Sequence, residues 1–235
     1  MAKEVFEILA EAAKKVLDLD FILLQETAAN TADWFCEHFQ TSGYIWWTKG
    51  DTAVGIKREW EHRVCDSTTT RSITAVALKA TEDLPATVLV SAHAPHQTSC
   101  KNKDQQEYEL FFSELAATME KFRKNKEVSK EQQTVMGIDA NCEIFAQASP
   151  TKGAAHYNTG TKPGQRSDTV ESFFANNTLK FSNTHWSRKS NPTRNKAELF
   201  THIGPTGSRR QIDFAGITKN TKVVAYACQK TKEAF

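Results

Sequence analysis

Four side chains in three short apolar contexts are placed to do chemistry. They are Glu26 in Phe-Ile-Leu-Leu-Gln-Glu-Thr, Asp139 and Asn141 in Val-Met-Gly-Ile-Asp-Ala-Asn, and Asp213 in Arg-Arg-Gln-Ile-Asp-Phe. Each sits at or just past the end of an apolar run. A β-strand that ends in a carboxylate pushes the charge out of the core and onto the rim of a sheet. Several such rims can converge on one hard cation, which prefers oxygen ligands.

Taken singly, each residue also has a plainer account. Glu26 alone reads as a solvated strand-end carboxylate. Asp139 and Asn141 are two apart, so in an extended segment both face one way, and Gly137 permits close backbone approach. The carboxylate can activate a nucleophile, and the amide can ligate metal or bind a phosphate oxygen. An Asx turn after a strand explains the same pair. Asp213 lies within an alternating stretch that opens with Arg209 and Arg210, where a carboxylate needs a hydrogen bond or a charged partner. Orienting an imidazole and pairing with a neighbouring arginine both fit. His93 and His96 stand on either side of Pro95 in Val-Ser-Ala-His-Ala-Pro-His. The proline forces an extended chain, and no third nitrogen or sulfur ligand has an obvious claim. Phosphate contact or hydrogen bonding near the active site is therefore expected, rather than a transition-metal site.

The elements that must hold these residues can be read from periodicity. Val5, Phe6, Ile8, Leu9, Ala12, Ala13, Val16 and Leu17 recur at helical spacing. Uniform or alternating apolar runs predict strands at Phe21–Leu24, Ala53–Ile56, Ile73–Leu78, Val88–Ala92, Thr134–Ile138, Gln211–Ile217 and Val223–Ala227. A long helical pattern runs through Tyr108, Phe111, Phe112, Leu115, Met119 and Phe122, and the Lys-rich residues 121–130 end it. A shorter helix is expected over Thr169–Asn176. Residues 146–168 and 187–197 are polar and turn-rich, and read as surface loops. Irregular alternation of strands and helices favours a mixed-sheet layered α/β domain.

Composition sets outer bounds. At 39% hydrophobic and 25% charged, the chain of 235 residues has the make-up of a globular protein and not of a disordered one. No apolar run reaches the length of a membrane span, and the acidic residues within the first eleven positions exclude a secretory signal. Five cysteines without a Cys-x-x-Cys pair argue against a zinc or disulfide framework. Reduced thiols in a nuclear or cytoplasmic protein are the simpler reading. Net charge is +2, but residues 180–230 hold ten Lys or Arg against Glu198 and Asp213, a local +8. Such a segment beside an acidic cluster suits a polyanionic substrate, and a solvated basic face without a partner is the alternative.

Leu-Gln-Glu-Thr, Ser-Ala-His-Ala-Pro-His, Gly-Ile-Asp-Ala-Asn and Arg-Arg-Gln-Ile-Asp-Phe, in that order and over residues 5–230, resemble the endonuclease/exonuclease/phosphatase superfamily. Similar proteins include apurinic endonucleases, DNase I-like nucleases and the endonuclease domain of non-LTR retrotransposons. The resemblance implies one domain over residues 1–235, a four-layered α/β sandwich of two mixed sheets flanked by helices, with the site at one rim. It also implies that Glu26 is the Mg²⁺ ligand, with Mn²⁺ as a substitute. Asp139 then positions or deprotonates the attacking water, Asn141 binds metal or phosphate beside it, and Asp213 orients a catalytic histidine. His93 falls where many members have a tyrosine touching the phosphate, and His96 where they often have an asparagine.

The His-x-Pro-His pattern looks closer to the retrotransposon branch. So do Asn183-Thr-His-Trp186 and the Thr201–Arg210 hairpin, through which Trp186, Arg209 and Arg210 would approach DNA. In that branch the parent protein carries a reverse transcriptase. Two features of the family have no counterpart here: the first strand with its asparagine, and the closing Ser-Asp-His. The expectation is DNA nicking by an intracellular endonuclease domain, impaired in this chain. Hydrolysis of an inositol phosphate or lipid headgroup on the same fold, or a catalytically dead nucleic-acid-binding remnant, are the alternatives.

Overall fold

The computed structural model describes residues 19–27, 43–96, 101–128, 132–144, 164–182, 202–203, 209–210, 212–219 and 221. Eleven strands are present among them: β1 Phe21–Gln25, β2 Tyr44–Lys49, β3 Thr52–Lys57, β4 Val64–Thr69, β5 Ile73–Leu78, β6 Thr87–His93, β7 Gln133–Asp139, β8 Leu179–Phe181, β9 His202–Ile203, β10 Arg209–Arg210 and β11 Asp213–Thr218. Two α-helices accompany them, α1 Lys101–Lys124 and α2 Gln165–Asn176, with a 3₁₀ turn at Arg58–Arg63. None of the described helices is long and apolar enough to cross a membrane.

The strands form a six-stranded sheet in the order β4-β5-β6-β7-β11-β8 and a three-stranded sheet in the order β1-β3-β2. β9 and β10 form a separate small ladder. In the large sheet β6 and β7 run parallel, while the other neighbours are antiparallel. A parallel pair cannot be joined by a tight turn and needs a crossover; α1 lies in that connection.

Both faces of the large sheet are covered, which is why β5 is buried at every position and β6 at every position but its last. Ile73, Ala75 and Ala77 of β5 and Val88, Val90 and Ala92 of β6 face one way, into a core with Tyr108, Phe112, Leu115 and Phe122 of α1 and Val170 and Phe174 of α2. Val76, Leu78 and Leu89 face the other way, onto Val54 and Ile56 of β3, with Phe21 and Leu23 of β1 packed alongside. The two sheets thus lie face to face, with helices on the outer face of the larger. Among the described residues these are three of the four layers expected of the α/β sandwich, and the smaller sheet is antiparallel throughout. The helix expected at residues 5–17 and the strand expected at 223–227 lie outside the described residues.

Three differences from the sequence expectations have physical causes. Helix α2 begins at Gln165, so the last four residues of the expected 146–168 loop are its first turn. Gln-Arg-Ser-Asp is polar because most of that turn faces outward, with Ser167 the buried member. Among the described residues strands β2 and β4 sit at sheet edges, and β4, Val-Cys-Asp-Ser-Thr-Thr, is mixed in polarity. The strand expected over Gln211–Ile217 is β11, which starts two residues later, and Arg209 and Arg210 at the head of the alternating stretch are not part of it. Those two arginines pair instead with Ile203 and His202.

Candidate active site

Register brings the predicted residues together. His93, the last residue of β6, pairs with Asp139, the last of β7, and Asp139 pairs in turn with Asp213, the first of β11. Residues paired laterally in a sheet point to the same face. That face is the one turned toward the small sheet, because Ser91, two residues before His93, hydrogen-bonds to β1. Three adjacent strands therefore deliver an imidazole and two carboxylates to one stretch of rim.

β1 closes over this rim. Gln25 Nε2 donates to Ser91 Oγ at 2.8 Å and to the Gly137 carbonyl at 3.2 Å, and Ser91 Oγ donates to the Leu24 carbonyl at 2.5 Å. Gly137 makes the approach possible: a Cβ there would lie 3.0 Å from Gln25 Nε2 and 3.2 Å from Leu23 Cβ. Beyond Gln25 the chain turns, with Glu26 in the left-handed region at φ 58°. Thr27 then ties the segment to the β2–β3 hairpin, donating its N–H to Asp51 O at 3.2 Å and its hydroxyl to Gly50 O at 3.0 Å. Glu26 is held above β6 and β7 by these flanking contacts, while its own side chain stays mostly exposed.

The distances describe an open cluster of charged and imidazole groups. His93 Nε2 lies 3.9 Å from Glu26 Oε1 and 3.7 Å from Asp139 Oδ2. On its other side, Nδ1 is 4.0 Å from Asp51 Oδ2. His96 Nε2 is 4.0 Å from Glu26 Oε1, and the two imidazoles meet edge to face at 5.3 Å. Buried His93 Nε2 has no hydrogen-bond partner among the described residues. Burial pulls the His93 pKa down, and the Glu26 carboxylate opposes this in part. Burial likewise lifts the Asp139 carboxyl, to about 6, against the lowering effect of the N–H it accepts from Asn141.

Asn141 arrives by a different route from the one expected. Its backbone is left-handed at φ 48°, not extended. Its N–H donates to Asp139 Oδ1 at 2.9 Å, and its side-chain Nδ2 donates to the Ala94 carbonyl at 2.7 Å. The Asx turn and the site geometry are the same structure: the turn bridges the ends of β6 and β7 and fixes one oxygen of Asp139.

Of the other expected site residues, His93 and His96 are brought to Glu26, and Pro95 does not keep the two rings apart. Arg209 and Arg210 are placed in β10 by their backbone. Trp186 lies outside the described residues. Several contributors were not singled out from sequence. Asp51 looks like an ordinary Gly-Asp hairpin turn, and Gly50 at φ 68° fits that turn. Gln25 is overshadowed by its neighbour Glu26. Arg166 of α2 donates to Pro95 O at 2.8 Å, to Asp104 O at 3.3 Å and to His96 O at 3.4 Å, and lies over the Tyr108 ring. Tyr108 in turn donates to Ala140 O at 2.6 Å. Cys142, beside that hydroxyl, is pushed up to about 12 by burial and stays a thiol.

One carboxylate from a turn and two imidazole nitrogens face a common space, with their ligand atoms within 4.8 Å of one another. With the orphaned His93 nitrogen, this donor set fits a divalent cation. It departs from the all-oxygen shell that Mg²⁺ prefers.

No protein-family model matches the chain, and no curated protein matches it. Solved structures do. An AP endonuclease from Leishmania major aligns with a TM-score of 0.62 at 10% identity, over 92% of this chain and 75% of that one. A mannosyl-6-phosphatase from Bacteroides thetaiotaomicron aligns at 0.54 and 11% identity, over 93% and 78%. An endonuclease/exonuclease/phosphatase family protein from the same organism aligns at 0.53 and 12% identity, over 92% and 75%. At such identities the likeness is one of architecture, and by it this chain has the DNase I-like α/β sandwich fold of the endonuclease/exonuclease/phosphatase proteins.

Proposed function

We propose that this chain is a metal-dependent phosphodiesterase that nicks DNA, with its reacting groups on the rim formed by β1, β6, β7 and β11. The observation that supports this most is the lateral series His93–Asp139–Asp213 facing Glu26. A cation bound at Glu26 supplies positive charge for the phosphate oxygens and leaving group.

The chain's own residues do the rest. Asp139 has one oxygen committed to the Asn141 N–H, so Oδ2 is the atom that takes a proton from the attacking water. Its pKa near 6 keeps it ionised at neutral pH, yet basic enough for that task. Asn141 commits Nδ2 to Ala94, which assigns its Oδ1 to metal or phosphate. Asp213 adjoins Asp139 and is among the charges acting on His93, which fits an orienting role. Arg209 and Arg210, with Trp186, are assigned to the DNA backbone, where a basic segment strengthens binding at low salt. The retrotransposon-type assignment rests on the His-x-Pro-His pattern and the 201–210 hairpin.

Nicking of supercoiled plasmid tests this reading, with Mg²⁺ and Mn²⁺ supplied in separate reactions. Asp139→Ala is expected to slow nicking by about 10²- to 10⁴-fold, and Glu26→Ala to abolish the metal-stimulated nicking. Full activity in both variants would overturn the site assignment. Release of phosphate from a sugar phosphate or inositol phosphate, without any nicking, would overturn the DNA assignment.

A further inference from the structure

We propose that Glu26, His93 and His96 form a three-point site for an imidazole-binding divalent ion of the first-row series that ends at zinc, rather than a Mg²⁺ site. This deepens the reading of the rim as a metal centre and rests on it only in that respect, since binding requires no hydrolysis.

Four observations support it. First, the three ligand atoms converge: Glu26 Oε1 is 3.9 Å from His93 Nε2 and 4.0 Å from His96 Nε2. Donors sharing a metal at about 2.0–2.2 Å lie roughly 3–3.5 Å apart, so closure asks for about an ångström or less at these two contacts, with all three ligand atoms within 4.8 Å of one another. Second, the groups that must move can do so. The Glu26 and His96 side chains are each 63% exposed, while His93, at 12%, is the fixed point. Third, buried His93 Nε2 lacks a hydrogen-bond partner among the described residues, and a buried polar atom left so is costly unless something meets it. Fourth, His93 Nδ1 lies 4.0 Å from Asp51 Oδ2. That is longer than a hydrogen bond, but a carboxylate near the far nitrogen is the kind of group that can orient a metal-bound histidine.

Chemistry then selects the ion. Imidazole suits zinc, copper, iron and nickel ions, and Mn²⁺, the lowest of that affinity series, is their spectroscopic stand-in, whereas Mg²⁺ favours oxygen and retains its waters. Arg166, holding the Pro95 and His96 carbonyls, fixes the segment that carries the outer ligand.

The test is equilibrium binding to the full chain, followed by loss of the free Mn²⁺ electron paramagnetic resonance signal, with Mg²⁺ and Zn²⁺ as competitors. Pulsed measurements on the bound ion report nitrogen ligands directly. Mn²⁺ is expected to bind about tenfold or more tightly than Mg²⁺, with nitrogen coupling present. His93→Gln and His96→Gln should each weaken Mn²⁺ binding by about tenfold or more, with little effect on Mg²⁺. His96 is exposed, so its variant keeps the experiment decisive if substitution at His93 disturbs folding.

Mn²⁺ bound without nitrogen coupling, or Mg²⁺ bound as tightly as Mn²⁺, would overturn the proposal. Nitrogen-coupled Mn²⁺ on a chain that cleaves nothing would uphold it while removing the hydrolytic reading. Nicking with Mg²⁺ on a chain without nitrogen coupling would do the reverse.

Discussion

Asp139 illustrates how much one carboxylate's behaviour depends on its immediate neighbours. Its burial, its committed oxygen and its distance to His93 all follow from a turn of three residues, Asp139 to Asn141, braced by Tyr108 beneath. Removing the brace tests that arrangement. Tyr108→Phe leaves the Ala140 carbonyl without its buried donor and is expected to cost about 1–3 kcal/mol in urea unfolding; an unchanged midpoint would show that the hydroxyl is dispensable. Gly137→Val tests the approach of β1. Its new side chain must displace Gln25 and Leu23, an overpacking expected to cost about 1–3 kcal/mol, with loss of the Glu26 position and of metal binding. At this scale sequence was partly legible. Glu26, Asp139 and Asp213 stood out only through the order of their motifs, since each alone reads equally well as a strand-end or turn residue. Asp51 and Gln25 did not, because a hairpin Gly-Asp and a strand-end amide have many reasons to be there.

Among the elements, the strands buried on both faces announced themselves, since a run such as Ile-Thr-Ala-Val-Ala-Leu fits little else. Edge strand β4 was hidden by mixed polarity, and the first turn of α2 by its solvent-facing side chains. That turn matters to the site through Arg166, which joins α2 to the ends of β6 and α1. Arg166→Lys keeps the charge but cannot reach three carbonyls with a planar fork. We expect it to lower stability by about 1–2 kcal/mol and to weaken Mn²⁺ binding through the loosened His96 segment. Thermal unfolding and the binding titration check the two effects separately, and wild-type values in both would deny Arg166 a positioning role.

Across the whole molecule the site is a joint between two sheets, with Glu26 on the small one and His93, Asp139 and Asp213 on the large one. If a cation binds between Glu26 and His93 as proposed, it would do so only when the sheets are docked, and would therefore stabilise the folded state. At a concentration 100 times its dissociation constant it should add about 2.7 kcal/mol, seen as a rise in Tm that EDTA reverses and Glu26→Ala removes. No shift on adding Mn²⁺ would argue against a cation at the joint. The parallel pairing of β6 with β7 carries a consequence in time. Hairpins such as β2–β3 and β5–β6 close locally, whereas β6 can meet β7 only after the intervening chain, α1 included, has found its place, and β11 joins from farther still. Contacts between distant segments form slowly because chain entropy opposes them until late. On refolding, helical signal should therefore return before the protein can capture a metal ion, so the rim gains its chemistry only as the last long-range contacts close.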